Sequence, residues 1–303
     1  MSIDSPYAAR LAGIDTRRDE VAVLGSLTRY WTYGPADAAT TVVIAHGYRG
    51  EHHGIEPIIA QLPHIRFVSP DLPGFGESTP MTAAGHTVDG YSAWFTAFIE
   101  AVGLAPTALV LGHSFGSIVV ASAVANGLDT AAVILVNPIA ISGLAGPRKV
   151  ATKVTVAFYD LAGRVPARLG HRLLNSWVVV QLMSSTMAKT KDRALRRWIH
   201  REHHTFFSRY ANRDVVVDGF RASVSTDVSA FAPRIAAPVL LIAARLDDIT
   251  PISAQFDLQR LLPDATLSVL EDVGHLIHYE KPREAAEAIV DFLARRGLDT
   301  PAP

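Results

Sequence analysis

The chain has 303 residues, and its 28 Lys and Arg nearly balance its 29 Asp and Glu, which leaves a formal charge of −1. With 49% hydrophobic residues, it can form a core that buries roughly 75% of the unfolded surface, which excludes an intrinsically disordered protein. The absence of cysteine excludes disulfides, a cysteine nucleophile and a thiolate metal site. Because the N-terminal segment does not resemble a secretory signal and no apolar run nears the roughly 20 residues of a membrane span, we expect a cytoplasmic protein without stable membrane insertion.

Short aliphatic runs alternate with helix-like segments along most of the chain. A hairpin is predicted around Gly25 and Ser26, and six further runs are typical of buried parallel strands. The alternation indicates an α/β fold with a mainly parallel sheet flanked by helices. The predicted strands are 21–24, 27–31, 41–45, 66–69, 108–111, 133–136, 239–243 and 266–270, and the predicted helices are 56–62, 88–102, 115–126, 253–261 and 283–296.

One stretch, residues 142–227, interrupts this alternation. It contains amphipathic segments but no good strand, so we interpret it as a helical insertion between core segments 1–141 and 228–303. The insertion holds 15 of the Lys and Arg but only 6 of the Asp and Glu, so its net charge is +9 and that of the remainder is −10. Two interpretations stay open: the insertion packs against an acidic core and exposes its basic face to solvent, or it favours anionic substrates or membrane surfaces.

The strongest local motif is Gly-His-Ser-Phe-Gly at residues 112–116, between a predicted strand and a predicted helix. This is the context that a G-x-S-x-G nucleophile elbow requires. The small flanking residues allow a sharp turn that exposes the hydroxyl of Ser114 at the start of a helix, where developing negative charge is stabilised. Ser114 is therefore the candidate nucleophile.

A serine hydroxyl needs a base to take its proton and an acid to orient that base. His275 follows the last predicted strand, and Asp247 follows the strand before it, with Asp248 as a rival acid. Two other histidines are weaker candidates for the base: His278 lies one helical turn further on, and His113 is next to the nucleophile but should point away from its side chain.

Taken together, the motifs make the sequence resemble the α/β-hydrolase superfamily over nearly its whole length. The matching motifs are His46-Gly47, the loop 70–78, the Ser114 elbow, the segment 238–251 and Gly274-His275. The resemblance implies a Ser114–His275–Asp247 triad and an oxyanion hole formed by the backbone N–H groups of Tyr48 and Phe115. It also favours Asp247 over Asp248, because the family's acid usually stands four residues before a proline, here Pro251.

Other polar residues near these motifs allow more than one interpretation. Arg49, His52 and His53 could bind an anionic substrate group or could make local contacts, and Asp71 is expected to be structural. His200 and His204 stand at a spacing that suits a metal pair, but no third ligand follows them. Since phosphate-binding glycine motifs are also missing, we expect neither a metal nor a cofactor.

These observations predict a serine hydrolase that cleaves a carboxylic ester of a small or medium-sized substrate through an acyl-enzyme intermediate. The resemblance also implies that the insertion 142–227 is a cap, with the substrate bound between cap and sheet. The alternative is a carbon–carbon bond hydrolase of the meta-cleavage-product type, whose acidic substrates the basic insertion would suit. A non-catalytic ligand receptor on the same scaffold is a third possibility. We expect a small-molecule substrate and no nucleic-acid partner.

Overall fold

The computed structural model describes residues 5–104, 106–145 and 149–299. It contains one eight-stranded sheet, in the order β1-β2-β4-β3-β5-β6-β7-β8. Strands β3 to β8 are mutually parallel, and β2 is antiparallel to both β1 and β4. The strands are β1 Thr16–Val23, β2 Ser26–Tyr33, β3 Thr41–Ala45, β4 Arg66–Pro70, β5 Leu109–His113, β6 Val133–Val136, β7 Val239–Ala244 and β8 Ala265–Leu270. The predicted α/β fold is confirmed.

Helices cover both faces of the sheet, and the described part of the predicted insertion consists of five helices joined by loops. The helices are α1 Ala8–Leu11, α2 Glu56–Ile59, α3 Val88–Ala101, α4 Phe115–Ala125, α5 Lys149–Arg164, α6 Ala167–Leu174, α7 Trp177–Met187, α8 Arg193–Phe206, α9 Arg213–Ser225, α10 Ile252–Leu261, α11 Ile277–Glu280 and α12 Pro282–Arg296. Residues 146–148 of the predicted insertion lie outside the described residues.

Alternate residues of the central strands feed two separate hydrophobic clusters, one on each face of the sheet. In β3, Val43 packs with α3 and α4, whereas Val42 and Ile44 pack with α2 and α12. Because both faces are buried, these strands are continuous aliphatic runs rather than alternating ones, as the sequence suggested.

The structure corrects three details of the predicted strands. The first strand, β1, begins at Thr16 rather than at residue 21. The hairpin turns at Leu24 and Gly25 rather than at Gly25 and Ser26, because Leu24 and Gly25 take the positive φ values of 46° and 76° and Ser26 already pairs with Val23. The last strand, β8, is only half-buried, since it stands at the edge of the sheet and pairs with β7 alone.

Within the insertion, α7 and α8 pair around a buried polar group. The Ser184 Oγ lies 2.5 Å from His200 Nδ1 and 2.7 Å from His203 Nδ1. Burial, with a smaller effect of His200 and His204, lowers the pKa of His203 to about 3. His203 is therefore neutral in the folded protein well below the pH at which an unfolded histidine gains its proton. No helix in the described ranges is long and apolar enough to cross a membrane.

The depressed pKa of His203 predicts a loss of stability in acid. An unfolded histidine titrates near pH 6.5, so between pH 6.5 and about 3 the unfolded state holds a proton that the folded state lacks. The contribution of neutral His203 to the free energy of unfolding is therefore fully present above pH 6.5 and is lost on acidification. At pH 5 this residue lowers the free energy of unfolding by about 2 kcal/mol.

Urea denaturation at pH 7 and pH 5 measures this effect. The difference between the two free energies of unfolding should shrink by about 2 kcal/mol in His203→Phe. His64→Phe, at an exposed position, should leave the difference unchanged. An equal pH dependence in His203→Phe and the parent protein would contradict the prediction.

Candidate active site

Ser114 occupies a strained turn between β5 and α4. Its backbone has φ 53° and ψ −119°, a conformation that non-glycine residues rarely adopt. The two flanking glycines have no room for a side chain: a Cβ on Gly112 would lie 2.5 Å from the carbonyl oxygen of Gly116, and one on Gly116 would overlap the carbonyl oxygen of Ala45. The structure therefore gives residues 112–116 the geometry expected of a nucleophile elbow.

The structure brings Ser114, His275 and Asp247 together in one hydrogen-bonded chain. His275 Nε2 lies 2.8 Å from Ser114 Oγ, and His275 Nδ1 lies 2.8 Å from Asp247 Oδ2. The second carboxylate oxygen of Asp247 accepts from the N–H groups of Ile249 at 2.7 Å and Thr250 at 3.2 Å. Since a carboxylate only accepts, Nδ1 carries the proton, and Nε2 is free to accept the serine proton.

Asp248, the rival acid, points elsewhere. Its carboxylate forms an ion pair with Lys189 Nζ, and both side chains are partly exposed. Asp247, by contrast, is buried. The geometry therefore matches the sequence preference for Asp247.

Asn137 is a site residue that the sequence analysis did not identify. It follows β6 with a φ of 45°, and its side-chain amide donates to the carbonyl oxygens of Gly274 at 3.3 Å and His275 at 2.8 Å. Its Oδ1 accepts from the N–H of Ala244 at 3.1 Å. Asn137 thus ties the end of β7 to the loop that carries His275.

The loop after β3 packs directly against the elbow. A Cβ on Gly47 would lie 3.3 Å from the Cβ of Ser114. Phe115 is the first residue of α4, so its N–H has no partner within the helix. The N–H of Tyr48 donates to no backbone group of the described residues. Neither amide therefore has a backbone partner among the described residues, and their binding of an oxyanion stays a prediction.

Buried polar contacts hold this loop in place. His46 donates from Nδ1 to the carbonyl oxygen of Gly47 at 2.8 Å and accepts at Nε2 from the N–H of Leu72 at 2.8 Å. Asp71 accepts from the backbone and ring of His52 at 2.8 and 2.9 Å, and from the N–H of Glu77 at 2.8 Å. Asp71 therefore has the structural surroundings that the sequence analysis expected.

Arg49 contacts the helical insertion rather than the cavity. It is fully buried and donates to the carbonyl oxygens of Phe207 at 2.8 Å and Leu174 at 3.2 Å, and to the hydroxyl of Tyr159 at 3.3 Å. Its neighbour Tyr48 donates from its hydroxyl to the carbonyl oxygen of Val216 at 2.7 Å. The proposed oxyanion loop is thus fastened to several helices of the insertion.

The remaining histidines and acids of the site make protein contacts. His53 pairs with Glu51, and His52 pairs with Asp71. Glu51, His52 and His53 form the one group within the described ranges whose atoms are close enough to suit a metal ion, but the Nδ1 atoms of both histidines already face carboxylates. His200 and His204 do not converge as a metal pair, because they bond to Ser184 and Gln181.

His113 and His278 lie beside the triad and line the same cavity. Their rings are 4.2 Å apart. Burial lowers the pKa of His113 to about 3 and that of His278 well below its usual value. Both are therefore neutral at ordinary pH, and neither is hydrogen-bonded to the Ser114 hydroxyl, whose described partner is His275.

A cavity of about 540 Å³ opens above Ser114 and His275, between the sheet and the helical insertion. Its walls are mainly apolar and aromatic. Among the described residues, Lys189 is the one Lys or Arg in the lining, and its charge is paired with Asp248. Apolar lining residues include Ile139, Ile141, Tyr159, Met183, Met187, Phe207, Phe220, Val224 and Leu276.

Comparisons with known proteins agree with this geometry. A family model described as the alpha/beta hydrolase fold matches residues 40–282. The chain is 24% identical to a 2-hydroxy-6-oxononadienedioate/2-hydroxy-6-oxononatrienedioate hydrolase of Dechloromonas aromatica, over 84% of this chain and 86% of that protein. It is 22% identical to the human monoacylglycerol lipase ABHD6, over 84% of this chain and 75% of that protein.

Solved structures show the same fold at low identity. A thermophilic esterase from Thermogutta terrifontis superposes with a TM-score of 0.72 at 18% identity, covering 92% of this chain and 99% of the esterase. An enol-lactonase from Burkholderia xenovorans superposes with a TM-score of 0.75 at 20% identity, covering 91% of this chain and 100% of the lactonase.

Replacing Arg49 should release the insertion from the loop beneath it. Arg49→Met fills similar space but removes all donors and leaves three acceptors without this partner, two of them buried, so we expect a loss of about 3 kcal/mol of stability. Arg49→Lys should recover only part of it, since an ammonium cannot reproduce the planar fork. Urea denaturation measures both, and Arg197→Met, at an exposed position of α8, is the control. If Arg49→Met were as stable as the control, the proposed fastening would be wrong.

Proposed function

Since the chain belongs to the α/β-hydrolase family, we propose that it hydrolyses carboxylic esters of apolar small molecules with Ser114 as the nucleophile. The observation that carries this proposal is the chain of two 2.8 Å hydrogen bonds from Ser114 through His275 to Asp247, placed at the floor of an apolar cavity. A serine, an imidazole and a buried carboxylate in this order form the arrangement that activates a hydroxyl for acyl transfer.

In the proposed reaction, Ser114 Oγ attacks the ester carbonyl carbon while His275 Nε2 takes the hydroxyl proton. The carbonyl oxygen becomes an oxyanion, and the N–H groups of Tyr48 and Phe115 stabilise it. The tetrahedral intermediate collapses to an acyl-enzyme when His275 passes the proton to the leaving alcohol. Asp247 stabilises the charged imidazole throughout these steps.

A water molecule completes the reaction. His275 removes a proton from the water as it attacks the acyl carbon, and a second tetrahedral intermediate forms against the same two amides. His275 then returns the proton to Ser114, the carboxylic acid leaves, and the enzyme is regenerated. No step needs a cofactor.

The residues 142–227 act as a cap in this proposal. The described helices of the insertion supply one wall of the cavity, and the strand ends supply the floor. Substrate therefore binds between the two parts, and the apolar wall favours an apolar acyl or alcohol group.

Carbon–carbon bond hydrolysis is the second candidate, favoured by the similarity to the Dechloromonas aromatica hydrolase. That relative is named for diacid compounds, which carry two carboxylates. The arginines of the insertion, which seemed suited to acidic substrates, do not line the cavity in the part of the chain described. The cavity thus offers a diacid little charge compensation, and this favours the ester.

The decisive experiment is labelling with a fluorophosphonate probe followed by peptide mass spectrometry. An activated serine reacts covalently, so we expect one adduct, on Ser114, and none in Ser114→Ala. Ser223→Ala is the matched control, because Ser223 lines the same cavity but its hydroxyl donates to the carbonyl oxygen of Phe220 at 2.7 Å. This control should label as the parent protein does.

Hydrolysis of aryl esters should depend on the same serine that the probe labels. Ser114→Ala is expected to lower kcat by at least about a thousandfold, because the nucleophile and its base act as a unit. A panel that holds both esters and ring-cleavage diacids separates the two candidates. Rapid turnover of the diacids without ester hydrolysis would reject the ester proposal, and substrate binding with no turnover would indicate a receptor.

A further inference from the structure

The most exposed large apolar side chains of the described chain all lie on two helices of the insertion. Five of them are between 65% and 69% exposed, and no other large apolar side chain outside the masked residues exceeds 55%. They are Val150 and Val154 on α5 and Trp177, Val178 and Leu182 on α7. A concentration of exposed apolar side chains of this kind marks a candidate interaction site in a folded protein.

The spacing on each helix places these side chains on one face. Val150, Val154 and the 55%-exposed Leu161 follow one another at intervals of four and seven residues along α5, so they form a single stripe. On α7, Val178 and Leu182 are four residues apart. We call these six residues together, Val150, Val154, Leu161, Trp177, Val178 and Leu182, the apolar rim.

The apolar rim borders the opening of the cavity above Ser114. Leu182 is both exposed and part of the cavity lining, as are Thr155 on α5 and Thr186 on α7. Ile249, 42% exposed, completes this border from the loop that carries Asp247. A molecule held at the Leu182 end of the rim would therefore lie next to the cavity that contains Ser114.

Positive charge is concentrated on α5, which carries half of the rim, and on the adjoining helix α6. Between residues 149 and 191 the chain has seven Lys and Arg but one carboxylate, Asp160, and Arg221 pairs with that carboxylate. Lys153, Arg164, Arg168 and Arg172 are exposed, and none of the four forms an ion pair with a described residue. A second copy of this face would meet equal charges, which disfavours a symmetric dimer through it, whereas an anionic surface would meet opposite charges.

We propose that the apolar rim and the cations of α5 and α6 dock on an anionic lipid surface and deliver lipid esters to Ser114. The apolar side chains enter the boundary of the acyl chains while Lys153, Arg164, Arg168 and Arg172 face the headgroups. Docking is peripheral and reversible. The substrate class rests on the proposed ester hydrolysis, but the docking itself does not.

Trp177 provides a direct test, because the other three tryptophans, Trp31, Trp94 and Trp198, are buried. Vesicles of phosphatidylcholine and phosphatidylglycerol should shift the tryptophan emission to the blue, and brominated acyl chains should quench it. In Trp177→Phe the shift should vanish while co-sedimentation with the vesicles persists. An unchanged emission spectrum in the parent protein would overturn the proposal.

Co-sedimentation with the same vesicles tests whether the apolar rim and the cations bind the lipid surface. Val154→Asp/Val178→Asp should weaken vesicle binding at least about tenfold, and Lys153→Gln/Arg168→Gln should weaken it about 25-fold, at about fivefold for each lost cation. The matched control is Leu261→Asp/Val290→Asp, which changes 45% and 40% exposed side chains of α10 and α12. The control should bind as the parent does, and an equal loss in the control would contradict the proposal.

Hydrolysis of a short soluble ester separates this inference from the proposed function. Val154 and Val178 do not line the cavity, so Val154→Asp/Val178→Asp should keep its activity on that ester while losing activity on the same acyl group in vesicles. A protein that hydrolyses the soluble ester but ignores anionic vesicles would overturn the docking. A protein that binds vesicles through the rim but hydrolyses no ester would retain the docking and refute the ester hydrolase.

Discussion

The backbone of Ser114 is the constraint on which the rest of the site depends. Its positive φ of 53° costs on the order of 1–3 kcal/mol of conformational strain. Hydrogen bonds on both sides of Ser114 hold the turn in this conformation. The strand before it, β5, pairs with β3 and β6, and the N–H of Ser114 extends that pairing to the carbonyl oxygen of Val136 at 3.1 Å. Ser117 secures the other side, since its hydroxyl donates to the carbonyl oxygen of Ser114 and accepts from the N–H of Ile139.

The order of the strands in the sheet brings the residues that act with Ser114 close to it. Strands β5, β6, β7 and β8 are neighbours in the sheet and run in the same direction, so their carboxyl ends form a row. Ser114, Asn137, Asp247 and His275 come from the loops at these four ends, although 161 residues separate the serine from the histidine. Asn137 sits between the others and supports the backbone of His275, which lets the imidazole meet both of its partners.

Features that depend on local sequence could be predicted, whereas contacts between distant loops could not. The elbow and the parallel strands each follow from a short pattern of adjacent residues that is typical of one local structure. Asn137 had no such pattern, because its carbonyl partners lie 137 and 138 residues away. Arg49 was ambiguous for the same reason: a cation near an active site can face substrate or protein, and burial against Phe207, Leu174 and Tyr159 decides for protein.

The first strand begins five residues before the prediction because its polar part pairs at an edge, where no apolar pattern is needed.

The charge asymmetry of the chain gains a physical explanation from these contacts. An insertion of +9 beside a remainder of −10 could have been held by ion pairs between them. Across the described residues, however, two acid–base pairs join the two parts, Lys189 with Asp248 and Arg209 with Glu51. The contact includes several aromatic rings, among them Tyr48 against Tyr159 and Phe220, and the hydrogen bonds of Arg49 with neutral acceptors. Most of the positive charge is therefore not used to hold the insertion in place. Much of it remains on the exposed surface of the insertion, as at Lys153, Arg164, Arg168 and Arg172, where it attracts anions from solution.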